Sequence, residues 1–203
     1  MAFFNYGETE VNHLKSVCPH MAAVIDRVGM LKRSVKPDLF RSLISGIVSQ
    51  QISTKAAITV FSRLEDLVGE VNATNVLKRT DEDIQRCGLS YRKVSYIKGV
   101  CEAVRSGGLN LKAFHEMSDE QVIAELVKLN GIGVWSAEMF LIFSLQRPDV
   151  LSYGDLVIRK SLMRLHGLDD LSKKDFEIYK RLYSPYGSVA SLYLWRLADE
   201  DGR

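Results

Sequence analysis

No stretch of this 203-residue sequence stays apolar long enough to cross a membrane, so no membrane association is expected. The opening M-A-F-F-N-Y-G-E-T-E has neither the basic n-region nor the apolar h-region of a signal peptide, and the expected compartment is the cytoplasm. Cysteine is scarce. Cys18, Cys87 and Cys101 lie too far apart for a zinc ribbon or finger, and three are one too few for an iron–sulfur cluster. An odd count of thiols suits a reducing compartment. The four histidines (His13, His20, His115, His166) form no H-x-x-x-H pair, and C-P-H at Cys18–His20 alone is a poor metal site. No metal held by side chains and no cofactor is expected.

Charge of one sign is missing too. The formal net charge is +2, with 14 Lys and Arg against 10 Asp and Glu in residues 1–100 and 13 against 15 in residues 101–203. The first half is the more cationic, too mildly to name a polyanionic partner by itself. Nor does any run alternate with period two between turn signals, so no strand is required. There is no repeat, low-complexity tract or long linker.

What is present is helix. Pro19 opens P-H-M-A-A-V-I-D-R-V, which Gly29 ends. Asp38 precedes L-F-R-S-L-I-S-G-I-V-S-Q-Q, whose apolar residues recur three and four apart. Ser53 reads as the N-cap of T-K-A-A-I-T-V-F-S-R-L-E-D-L-V, and Thr80 opens a short helix closed by Gly88. Ser90 starts Y-R-K-V-S-Y-I-K-G-V-C-E-A-V-R, and Ser118 with Gln121 forms a capping box. G-V-W-S-A-E-M-F-L-I-F-S-L is apolar on nearly every side and predicts a buried central helix. Three more follow: one from Asp155 to Gly167, one from Ser172, and one across Y-G-S-V-A-S-L-Y-L-W-R-L. An all-α fold of about ten helices is expected, with the whole chain as one domain.

Two of these helices are joined by L-N-G-I-G-V, where Gly131 and Gly133 flank Ile132. Glycine admits positive φ and close approach of another backbone. Such a turn leaves amide groups pointing outward at the start of the next helix, which suits a phosphate oxygen. A tight turn with no ligand accounts for the glycines equally well. Asp155, in S-Y-G-D-L, reads locally as a helix N-cap.

The segment L-N-G-I-G-V-W-S-A followed by S-Y-G-D-L-V-I-R resembles the hairpin and downstream aspartate of the helix-hairpin-helix DNA glycosylases. S-L-I-S-G-I-V-S-Q-Q-I-S-T-K-A-A, G-L-S-Y-R-K-V-S-Y-I and S-P-Y-G-S-V-A-S-L-Y-L-W resemble the 3-methyladenine DNA glycosylase II branch, in the family's order. The resemblance implies two helical lobes with a DNA- and base-binding cleft between them, and no separate N-terminal β domain. It departs at the first hairpin position, where Asn130 stands in place of a frequent proline. A turn residue is acceptable there.

The resemblance assigns Asp155 as the catalytic carboxylate, and Asn130, Gly131, Ile132 and Gly133 as the DNA-binding hairpin. Trp135, Tyr186 and Met139 would line the base pocket, although a lone Trp or Tyr in a helical chain reads by itself as core packing. Trp195 is expected in the core. Gln51, with Gln50 beside it, matches the wedge that fills the gap left by an everted nucleotide. The carbonyls of Leu129 and Ile132 are where relatives hold a monovalent cation, Na⁺ or K⁺. Tyr91, Arg92, Lys93, Lys98, Lys55 and Lys128 read as solvated faces or as phosphate contacts.

Relatives that also cut the strand carry a nucleophilic lysine where this chain has Trp135, and an indole cannot form a Schiff base. The implied function is a monofunctional glycosylase removing alkylated purines (3-methyladenine, 7-methylguanine) from double-stranded DNA in base excision repair, with no AP lyase activity. It would act as a monomer, on the nucleoid if the source is bacterial. The alternative is a non-catalytic helix-hairpin-helix protein that binds DNA or senses lesions. The carboxylate of Asp155 separates the two, because a pure binder has no use for it.

Overall fold

The computed structural model describes residues 2–199. These contain twelve α-helices, one 3₁₀ turn at Leu111–His115, and no strand beyond a single antiparallel bridge between Phe3 and Ser34. The all-α expectation holds, and the count of about ten falls short by α1 (Glu8–Val17) and α5 (Ala73–Leu77). The first begins after Gly7, a residue that reads as a break. Glu10 reaches back to accept from the Gly7 amide at 2.8 Å and so starts the helix without a side chain at the cap. The second has five residues, too few to display a 3.6-residue period.

The helices that the sequence does predict start where their caps are. Asp38 caps α3 (Leu39–Ser49), Ser53 caps α4 (Thr54–Val68) and Thr80 caps α6 (Asp81–Gln85). Ser90, Ser118 and Ser172 do the same for α7 (Tyr91–Arg105), α8 (Asp119–Leu126) and α11 (Lys173–Tyr183). Each side chain accepts an amide proton from three residues on, which is worth about 1 kcal/mol per helix. Pro19 begins α2 (Pro19–Val28), where the buried Cys18 thiol accepts from the Met21 amide. Gly167, at φ 64° and ψ 40°, stops α10 (Leu156–His166) in the left-handed conformation.

The chain divides into two units, as the two-lobe expectation requires: residues 1–35 with 141–203, and residues 36–140. In the first, α12 (Gly187–Asp199) is the central helix. It packs on α1, α2, α10 and α11, and every residue from Gly187 to Leu194 is buried. Small residues let its neighbours approach from all sides, and its polar ones are satisfied: Ser188 Oγ donates to Arg147 O at 2.6 Å and Ser191 Oγ to Val150 O at 3.1 Å.

That displaces the prediction made for α9 (Val134–Phe143). Phe140, Leu141 and Ile142 are buried, but the helix opens with Val134 54% and Trp135 47% exposed. All-round hydrophobicity normally means burial; here it also includes a first turn whose apolar side chains are left uncovered.

In the second unit α7 is the strut. It packs on α3, α5 and α6, and buries Val94, Ile97, Val100 and Cys101. Burial pushes the Cys101 thiol up to about 12, so it is an inert packing group.

Candidate functional site

The hairpin between α8 and α9 is built on local hydrogen bonds and one buried anchor. Leu129 N donates to Leu126 O and Ile132 N to Leu129 O, both at 3.1 Å, and Ile132 is buried. Asn130 and Gly133 on either side are exposed. Gly131 sits at φ 88°, and a Cβ there would lie 2.2 Å from Cδ2 of Tyr96 on α7. Both the backbone angle and the ring above it therefore demand glycine. Gly133 differs: nothing lies within 4 Å of where its Cβ would be, and its φ is outside the left-handed range. Its openness leaves the start of α9 accessible, and the first amides of a helix are the usual seat for an anion.

Trp135 is the second residue of α9 and Met139 lies one turn later on the same side, half-buried. The predicted start of this helix directly after the hairpin is what the structure has.

At the end of α3 the chain turns through Gln50 and Gln51. Gln51 is exposed and left-handed at φ 57°, a conformation rare for a residue with a side chain. Gln50 is held inward: its Nε2 donates to Gly131 O in the hairpin at 2.7 Å. Lys93 Nζ donates to Val48 O at 2.8 Å and to Gln50 O at 2.6 Å, satisfying carbonyls at the end of α3. Burial holds this ammonium below the usual lysine range.

Lys93 thus leaves the group of solvated or phosphate-facing cations in which the sequence places it. Lys98 pairs with Asp81, and Lys128 pairs with Glu125 at 2.6 Å. Arg92, Lys55 and Tyr91 remain exposed.

In the first unit, Asp155 is buried at the N-terminus of α10. Its Oδ1 accepts from the Val157 amide at 2.9 Å and the Ile158 amide at 3.0 Å, as the N-cap reading requires. Its Oδ2 accepts from the indole Nε1 of Trp195 at 3.3 Å. The second bond corrects the expectation that Trp195 is plain core. It is half-buried, stacks on Phe143 with ring centroids 5.5 Å apart, and fixes the far side of the carboxylate. The two residues are 40 positions apart, so no local pattern could have linked them.

A carboxylate pinned on both oxygens cannot rotate. Its charge is presented in one direction, with the exposed side chains of Leu156 and Val157 next in the chain. That is the arrangement for stabilising a cation that forms at a fixed place. Tyr186, also in this unit, is brought to α1: its ring meets His13 edge-on at 5.2 Å, and its carbonyl accepts from Ala190 N at the start of α12.

Both the sequence and the fold have known counterparts. Residues 44–186 match the family described as the HhH-GPD superfamily base excision DNA repair protein. DNA-3-methyladenine glycosylase 1 of Schizosaccharomyces pombe is 33% identical over 192 residues, covering 91% of this chain and 84% of the relative. The DNA-3-methyladenine glycosylase of Saccharomyces cerevisiae is 34% identical, covering 79% of this chain and 67% of the relative. A solved DNA-3-methyladenine glycosidase from Bacillus halodurans superposes with a TM-score of 0.88 at 36% identity, over 100% of this chain and 94% of that one. The S. pombe 3-methyladenine DNA glycosylase in complex with abasic DNA gives 0.81 at 30% identity, over 93% and 96%. With residues 44–186 matched, a span that holds both the hairpin and Asp155, this chain belongs to the HhH-GPD superfamily of base excision DNA repair proteins.

Proposed function

We propose that this chain is a monofunctional DNA glycosylase that hydrolyses the N-glycosidic bond of alkylated purines, of the 3-methyladenine and 7-methylguanine type, everted from duplex DNA. The observation that carries the reading is Asp155, whose carboxylate is fixed through both oxygens. Support comes from relatives named DNA-3-methyladenine glycosylase and from a structural neighbour bound to abasic DNA, which is what base removal leaves behind.

Breaking the bond between the sugar C1′ and the base nitrogen builds positive charge on the deoxyribose, as in other glycosyl transfers. Asp155 stabilises that charge and takes a proton from the water whose oxygen bonds to C1′. The base leaves with the electron pair of the broken bond. An N3- or N7-alkylated purine starts cationic and departs neutral, so no general acid is needed. Trp135, Met139 and Tyr186 would receive it, since electron-rich faces attract a cationic base. The hairpin from Asn130 to Gly133 would seat a backbone phosphate, with a monovalent cation on the Leu129 and Ile132 carbonyls. Gln51 would fill the gap in the duplex. The chain would work in the cytoplasm as a monomer.

A panel of lesion duplexes tests this. Free 3-methyladenine and 7-methylguanine are expected, with an abasic strand that stays intact until alkali or heat cleaves it. Borohydride should trap no protein–DNA adduct, because Trp135 supplies no amine. A trapped adduct would refute the monofunctional reading. Tight lesion binding without any released base would replace it with the lesion-sensing one.

Gln51→Ala should slow excision of a well-paired lesion on the order of tenfold and of a mispaired one much less, because eversion is cheaper at a mismatch. Equal losses on the two duplexes would take Gln51 out of the wedge role.

A further inference from the structure

We propose that Gln50, Lys93 and Tyr96 form a brace that couples the α3–α4 turn to the hairpin, so that seating the hairpin on DNA sets where Gln51 enters the duplex. The proposal rests on the glycosylase reading for its purpose. The brace itself rests on four contacts. Gln50 Nε2 donates to Gly131 O at 2.7 Å, across 81 residues of sequence. Lys93 Nζ donates to the carbonyls of Val48 and Gln50, at 2.8 and 2.6 Å. Tyr96 lies against Gly131 so closely that a methyl group there would overlap its ring.

Lys93 and Tyr96 are three apart on α7, so one face of one helix touches both loops. Its lysine end grips the turn and its tyrosine end lies on the hairpin, while Gln50 ties one loop directly to the other.

Such a device has work to do here. Gln51 is in a left-handed conformation that costs a residue with a side chain stability, so the turn needs support from outside itself. The carbonyls that end α3 would otherwise be satisfied by water and leave the turn free to swing. Lys93 is drawn into a half-buried place to meet two of them. The two glutamines of S-Q-Q-I thus divide their labour: Gln50 positions and Gln51 intrudes.

The test uses the full chain carrying Gln50→Ala, with Gln50→Glu as a second variant of nearly unchanged size that sets a carboxylate against the Gly131 carbonyl. Amide hydrogen exchange should quicken about three- to tenfold, the worth of one hydrogen bond, at both 50–53 and 130–134, with α8 unchanged. With 2-aminopurine opposite an abasic-site analogue, the fluorescence rise on saturation should shrink, reporting poorer intrusion without any chemistry.

In single-turnover excision the loss should be greater on paired than on mispaired lesions. Adding Gln51→Ala should then cost less than it costs the parent. Faster exchange in only one of the two loops, an unchanged fluorescence rise, or additive losses would each overturn the brace. A parent that intrudes but releases no base would instead overturn the glycosylase reading and leave the brace standing.

Discussion

Asp155→Asn is expected to slow base release by about two to three orders of magnitude while the chain stays folded and still binds lesion DNA. Capping and catalysis make different demands on this side chain. An asparagine carbonyl replaces Oδ1 well, since asparagine is as good a cap as aspartate and can accept from the Val157 and Ile158 amides. The other position is not matched. The amide NH₂ would face the Trp195 indole N–H, a donor against a donor, where the carboxylate now accepts. That loss costs about 1–3 kcal/mol, a lowered melting temperature but not an unfolded protein. Removing the negative charge costs the helix N-terminus about 0.3–1 kcal/mol and acts far more strongly on the transition state, where the deoxyribose turns cationic. Thermal melting, duplex affinity and single-turnover release of 7-methylguanine together separate the two roles. Near-parental release by the variant would make Asp155 a cap and nothing more.

The second large effect is expected at Gly131, by contrast with Gly133 two residues away. Gly131→Ala meets two penalties. A left-handed backbone costs an alanine about 1–2 kcal/mol, and overlap with the Tyr96 ring costs about another 1–3 kcal/mol as ring or hairpin shifts. The variant should melt well below the parent and bind duplex DNA poorly. Gly133→Ala has open space and an ordinary φ, so its melting temperature should match the parent's. Any loss of affinity there reports the close approach of a phosphate and should fall alike on damaged and undamaged duplexes, since such contacts position and do not specify. If Gly133→Ala keeps both the affinity and the salt slope of the parent, the hairpin does not seat DNA.

The legible parts of this molecule are those written within a few residues. Six Asp, Ser and Thr caps mark helix starts because the cap and the amide it serves are three positions apart. Asp155 is readable for the same reason, and the hairpin because its two glycines flank a single residue. What is hidden depends on distant partners. Nothing in S-L-Y-L-W says that the indole will meet a carboxylate 40 residues earlier, or in S-Q-Q-I that one glutamine turns inward to a carbonyl 81 residues on. Lys93 looks like any surface lysine of an amphipathic helix until α3 ends beside it. Two starts are local and still missed: that of α1, because its cap is glycine and the work is done by Glu10, and that of α5, because the Asn72 cap opens only five residues.

The order of residues in the two units bears on how the molecule is made. The unit holding the hairpin and both glutamines is one continuous segment, Lys36–Phe140, whereas the other is assembled from the two ends of the chain. A ribosome adding about 5–20 residues per second releases the whole of the continuous unit several seconds before α12 emerges. Until then residues 2–35 have no central helix to pack on, and Asp155 has no indole on its second oxygen. The nascent protein therefore completes its hairpin and the α3–α4 turn early, and acquires an anchored carboxylate only once α12 has followed.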